Sequence, residues 1–190
     1  MTEFDRELFE SVFERRSHAA LAPDWDDLQF LWKFCVSRKI RTVVEYGSGC
    51  STAVFAHALQ TIAENGFCWS VESSPQWSKE TMAMLLSNWH HRVHIVIADA
   101  PVVEVMGRKA YEYQWYPPIV PDLIYIDGPE LIHADVTINP VECPAQFVIV
   151  DGRSKTVDFY RQTLCPFYRL EQNHDRSIFE RKTISQSGNA

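Results

Sequence analysis

At 190 residues, 46% of them hydrophobic and 23% charged, the chain is long enough for one domain with a sizeable core and ordinary in composition for a globular protein. A formal net charge of −7 with no basic tail argues against a nucleic-acid binder that neutralises phosphates. No apolar stretch reaches the roughly 18 residues of a membrane span. The charged stretch 1–16 does not read as a signal peptide. Five scattered cysteines with no Cys-x-x-Cys pair fit a reducing, cytoplasmic setting.

Residues 2–16 put Phe4, Leu8 and Val12, with Phe9 and Phe13, on one side of a predicted helix. Pro23 and Asp24 open a second helix that ends near Arg38 and Lys39, with Leu28, Leu31, Trp32 and Cys35 at helical spacing. This helical extension, 1–40, is expected to cover a sheet face, or else to close over a ligand site. Residues 41–184 form the remainder of what reads as a single domain.

Thr42-Val43-Val44-Glu45-Tyr46-Gly47-Ser48-Gly49-Cys50-Ser51-Thr52 then joins a β-prone run, two alternate glycines and the start of an Ala-rich helix, from about Thr52 to Glu64. Strand, glycine turn and helix N-terminus make the first unit of a nucleotide-binding α/β sheet. The third glycine of the dinucleotide pattern is missing. Glu45 is a poor neighbour for a pyrophosphate and suits a ligand with a positive end. A second strand, Phe67 to Glu72, ends in an acid placed to accept from ribose hydroxyls, and Ser73-Ser74-Pro75 leads into a helix to Asn88. A third strand, Arg92 to Ala98, is followed by Asp99 and Ala100. Residues 101–121, crowded with Tyr111, Tyr113, Trp115 and Tyr116 and ending in prolines, are expected to be irregular, roofing a substrate pocket or forming a surface contact. Asp122 to Pro129 and Gln146 to Arg153 repeat one pattern, an apolar buried strand running into Asp127-Gly128 and Asp151-Gly152. Residues 155–164 read as a helix, 167–171 and 177–181 as closing strands joined by the polar turn 172–176, and 185–190 as a frayed tail.

Glu45-x-Gly47-x-Gly49-x-Ser51, the acid Glu72, the Asp99 turn and the two Asp-Gly strand ends together resemble the class I S-adenosylmethionine (SAM)-dependent methyltransferases. The resemblance covers roughly residues 41–181. It implies a doubly wound, mostly parallel seven-stranded sheet with an antiparallel edge strand, a Rossmann-like methyltransferase fold here preceded by two extra N-terminal helices. It also implies SAM as cofactor, held by Glu45, Tyr46, Gly47, Ser48, Gly49, Ser51, Thr52, Glu72, Ser73, Asp99, Ala100 and Asp127. Asp99 would meet the adenine, and Asp127 would lie beside the methionine part and the acceptor.

The expected activity is methyl transfer to a small molecule, at oxygen, with Asp127 and His133 as candidate bases. Trp115, Asp151 and Arg153 are candidate acceptor contacts. Arg153 would clamp an anionic group on the acceptor or pair with Asp127 or Asp151. No metal is expected, because the metal-dependent members carry Asp-Asn where this chain has Asp151-Gly152. Neither nucleic acid nor membrane is an expected partner, and a homodimer stays open. Two other readings stand beside this one: a nicotinamide-dependent oxidoreductase, although no Tyr-x-x-x-Lys pair occurs, and a non-catalytic binder of a nucleoside or protein.

Overall fold

The structure, a computed structural model, describes residues 3–16, 22–62, 65–139, 144–173 and 176–182. The tail 185–190, the tip of the turn at 174–175 and the end of the first Ala-rich helix at Glu64 lie outside the described residues. Two N-terminal helices, α1 (Arg6–Phe13) and α2 (Trp25–Arg38), precede β1 (Thr42–Tyr46) and α3 (Cys50–Ile62). Local chemistry sets their limits. Asp5 caps α1 by accepting from Leu8 N, and Asp24 caps α2 by accepting from Asp26 N and Asp27 N. At the other end of α2, Lys39 adopts a left-handed conformation. Next come β2 (Phe67–Glu72), α4 (Pro75–Met84), capped by Ser74 with Pro75 in its first turn, a 3₁₀ turn at Ser87–Arg92, and β3 (Val93–Ile97).

Residues 101–121 are more regular than expected. They contain a hairpin, β4 (Val102–Val105) and β5 (Arg108–Tyr111), turning at Met106 and Gly107, both at positive φ. The chain continues through β6 (Leu123–Ile126), β7 (Val136–Thr137), β8 (Phe147–Asp151), α5 (Ser154–Thr163), β9 (Tyr168–Asn173) and β10 (Arg176–Arg181).

Seven strands form the main sheet in the order β3-β2-β1-β6-β8-β10-β9. All neighbours are parallel as far as β8, and β10 then runs antiparallel to both β8 and the edge strand β9. The strands alternate their side chains between two cores. Val43, Leu123, Tyr125, Phe147 and Ile149 face one side, where α1, α2 and α3 contribute Phe9, Leu31, Trp32, Phe55 and Leu59. Val44, Tyr46, Ile124, Ile126, Val148 and Val150 face the other, covered by Val157, Phe159 and Tyr160 of α5. The small sheet β4-β5-β7 adds Ala110 and Val136 to that second core. The N-terminal helices therefore pack as part of the first core, as the apolar stripe of α1 predicts. No described helix is long and apolar enough to cross a membrane.

Candidate active site

The carboxyl ends of the parallel strands surround a cleft of about 1160 Å³. Chain direction explains the place: in an open parallel sheet the loops leaving neighbouring strands part there. Gly47 leaves β1 at φ +97, and its N–H donates to Val71 O at 2.9 Å. A Cβ on Gly47 would stand 2.5 Å from the backbone nitrogen of Gly128, so the tips after β1 and β6 touch backbone to backbone. Gly49 differs. Among the described residues nothing lies within 4 Å of where its Cβ would be, which leaves room for a ligand to approach the turn.

Glu72 lies at the tip of β2 and is 6% exposed. Its Oε2 accepts from Ser48 N and Ser48 Oγ, both at 2.9 Å, and its Oε1 accepts from Ser74 N at 2.8 Å. Oε1 keeps room for a further donor. The Ser48 hydroxyl also lies 3.1 Å from Thr81 Oγ1 on α4.

Across the cleft stand Asp127, Asp151 and Arg153. Tyr125 Oη donates to Asp151 Oδ2 at 2.6 Å. Burial, and then the charge of Asp151, push the Asp127 carboxyl up to about 6, while Arg153 pulls it down. Asp127 is nonetheless exposed along the open cleft, so water there screens part of this effect. Burial pushes the Cys50 thiol up to about 11, which makes it an inert wall at neutral pH. Seven acids line the cleft (Asp24, Asp27, Glu72, Glu80, Asp127, Glu130 and Asp151) against Arg16 and Arg153, so its field favours a cationic ligand. Among the described residues, no three His, Cys, Asp or Glu side chains gather as a group that could hold a metal ion.

No family model matches this sequence, and no curated protein matches it. Solved structures do. An O-methyltransferase from Bacillus cereus in complex with SAH is 14% identical, with a TM-score of 0.62 over 94% of this chain and 92% of that one. A methyltransferase from Geobacter sulfurreducens is 15% identical, with a TM-score of 0.63 over 96% and 93%. The O-methyltransferase TomG from Streptomyces achromogenes, involved in tomaymycin synthesis and in complex with SAM, is 12% identical, with a TM-score of 0.60 over 96% and 93%. The chain has the class I methyltransferase fold.

Within that methyltransferase fold, the expected site residues divide into two groups. Gly47, Ser48, Gly49, Ser51, Glu72, Ser73, Ala100, Asp127, Asp151 and Arg153 line the cleft. Six others do not. Glu45 is fully buried, and its carboxylate accepts from Ser51 Oγ at 2.5 Å, Thr52 Oγ1 at 2.5 Å and Ser70 Oγ at 2.6 Å. It ties β1 to α3 and β2 and does not reach for a ligand. Burial pushes it up to about 7, against the pull of those three hydroxyls.

Thr52 is consumed in the same network. It is fully buried, and its Oγ1 also accepts from Gly49 N at 3.0 Å. The Tyr46 ring packs on Tyr113 at 5.2 Å in the second core, and the carbonyl of Tyr46 accepts from Asp127 N. Asp99 is exposed and is not among the lining residues; its carbonyl accepts from Gln114 N at 2.8 Å. Trp115 packs against the second core. His133 is exposed and held by its backbone N–H on Tyr111 Oη at 3.0 Å, while Leu131 and Ile132 before it face the cleft. The expected pairing of Arg153 with Asp127 or Asp151 is absent among the described residues. Its guanidinium binds two backbone carbonyls instead.

Sequence reasoning missed the α4 wall, where Trp77, Glu80, Thr81 and Met84 line the cleft. Their spacing of three and four is a helix-face signal that was there to be read. It also missed Arg16 and Leu28 from the N-terminal segment, and Tyr111 from the hairpin.

Proposed function

We propose that this chain is a SAM-dependent methyltransferase acting on a small-molecule acceptor, at oxygen. The observation that carries the reading is the cleft itself: an open glycine turn, a strand-tip glutamate with an acceptor position to spare, and an acid-rich wall, all at one edge of a methyltransferase sheet. The cleft's size suits a nucleoside with an acceptor beside it. Its acidic lining favours SAM, with a sulfonium and an ammonium, over a nicotinamide dinucleotide with its anionic pyrophosphate. The solved O-methyltransferases of the same fold, among them complexes with SAM or SAH, support the same choice.

SAM, when bound, supplies a methyl group already activated by the sulfonium charge. The protein's own work is to hold the two partners and to handle the proton. Glu72 would take the ribose hydroxyls, and the carbonyls of Gly47 and Ser48 would accept from the ammonium of the amino-acid end, the N–H groups of Gly47, Ser48 and Gly49 being already donated to Val71 O, Glu72 Oε2 and Thr52 Oγ1. Asp127, with its affinity for a proton raised toward neutral pH, is placed to accept the acceptor's hydroxyl proton. Leu28, Pro129, Leu131 and Ile132 give an apolar part of the acceptor a wall and limit water. Calorimetric titration with SAM and SAH tests the reading. Both are expected to bind, and no binding of either at millimolar concentration would remove it.

A further inference from the structure

Arg153 is a cation kept where an apolar side chain would be cheaper to bury. It is 8% exposed, stands at the N-cap of α5, and does not cap that helix with its side chain. Its Nη2 donates to the carbonyl of Asp127 and, at 2.6 Å, to that of Pro129. Both carbonyls belong to the loop after β6, 26 and 24 residues away in sequence. Nε and Nη1 are buried with no hydrogen-bond partner among the described residues. Packing alone would not retain a guanidinium with unmet donors.

Its electrostatic surroundings show what it faces. Asp127 just beyond β6, Tyr113 just beyond β5, Tyr125 in β6 and Asp151 in β8 all act on Arg153. Asp127 is in turn faced by Asp151, Arg153 and Asp27 of α2, and it acts on Glu45 of β1 and on Cys50 and Tyr125. Arg153 is the cation of this group.

We propose that Arg153 is the positioning residue for Asp127: it clamps the loop that carries Asp127 and sets a positive charge against a carboxylate otherwise surrounded by acids. The role as stated rests on the methyltransferase reading, in which Asp127 receives the acceptor's proton. Without Arg153, a larger share of Asp127 would hold its own proton at neutral pH, and that share could not take another.

The test is a carbon-13 NMR titration of protein labelled at the aspartate carboxyls, with Asp127 assigned through Asp127→Asn. The wild-type midpoint is expected above the ordinary 3.8 and no higher than about 6, because water in the open cleft screens part of the rise. Arg153→Met should raise it by about one pH unit, the size of effect expected from losing a nearby opposite charge. Arg153→Lys, which keeps the charge, should bring it back toward the wild-type value. An Arg153→Met midpoint equal to wild type overturns the proposal. If Arg153→Met does not fold, the Nε resonance of wild-type Arg153 carries the test. It should move with the Asp127 titration and lose that step in Asp127→Asn, and a resonance indifferent to Asp127 overturns the proposal. SAH calorimetry on the same samples separates the two readings. A shifted midpoint supports the positioning role whether or not SAH binds, and absent SAH binding counts against methyl transfer alone.

Discussion

Replacing Glu45 by Gln would show what the buried carboxyl costs. Glu45 is fully enclosed, and burial raises it from an ordinary 4.5 to about 7, with the charge of Asp127 adding to the rise. The unfolded chain would release this proton near 4.5, whereas the folded protein holds it until about 7. Between those values the folded state binds more protons, so stability falls as pH rises, and the whole cost is present above pH 7. At about 1.4 kcal/mol per unit, the gap is worth about 3 kcal/mol. A Gln at 45 fits the same space and exchanges hydrogen bonds with the same three hydroxyls, but has nothing to ionise. Wild type and Glu45→Gln should therefore differ least at pH 5, where only a small part of the cost has accrued, and the variant should be more stable at pH 8 by up to that amount. Urea unfolding of both proteins across pH 5 to 8 measures the difference, and subtraction removes the other titrating groups. A flat difference, or a wild type that gains on the variant as pH rises, would refute an enclosed, proton-holding Glu45.

Glu72→Ala should weaken SAH binding by about 1–3 kcal/mol, the worth of hydrogen bonds to a charged group, and unchanged affinity by calorimetry would contradict its assignment to the ribose. Gly47→Ala should destabilise the fold by about 2–4 kcal/mol in urea, because a Cβ at positive φ would press on the Gly128 backbone, with overpacking adding to the strain. Burial lowers His57 from its ordinary 6.5, and Trp32 Nε1 donates to its Nδ1 at 3.1 Å. The unfolded chain takes up that proton first as pH falls. The contact between α2 and α3 should therefore lose stability below about pH 6.5, relative to His57→Phe, as urea titrations at pH 5 and 7 would show. Asp27→Ala would strip the partner 2.9 Å from buried Arg176 and should cost about 2–4 kcal/mol by the same assay.

Much of this protein was legible locally. A β-prone run, paired glycines and an Ala-rich helix start follow one another within a dozen residues, so short-range sterics alone dictate β1, its turn and α3. Repetition of that unit, with strands too apolar to face water, implied a parallel sheet covered on both sides. The caps Asp5, Asp24 and Ser74 act within three residues of themselves. The hairpin at 102–111 also had a local sign, Met106-Gly107 between two short runs, hidden by the aromatic and proline residues that follow.

Which acids meet in the cleft was decided only by tertiary structure. Glu45 and Asp127 look alike in sequence, each ahead of a glycine. Glu45, however, lies inside β1, where the two-residue alternation turns it toward α3 beside Val43, while Asp127 stands one residue beyond the end of β6. His133 was placed by an anchoring contact to Tyr111, 22 residues upstream, and Arg153 by carbonyls on a separate strand tip. Such partners are set by which strands become neighbours, and that choice comes from burying both sheet faces at once, a property no single segment carries.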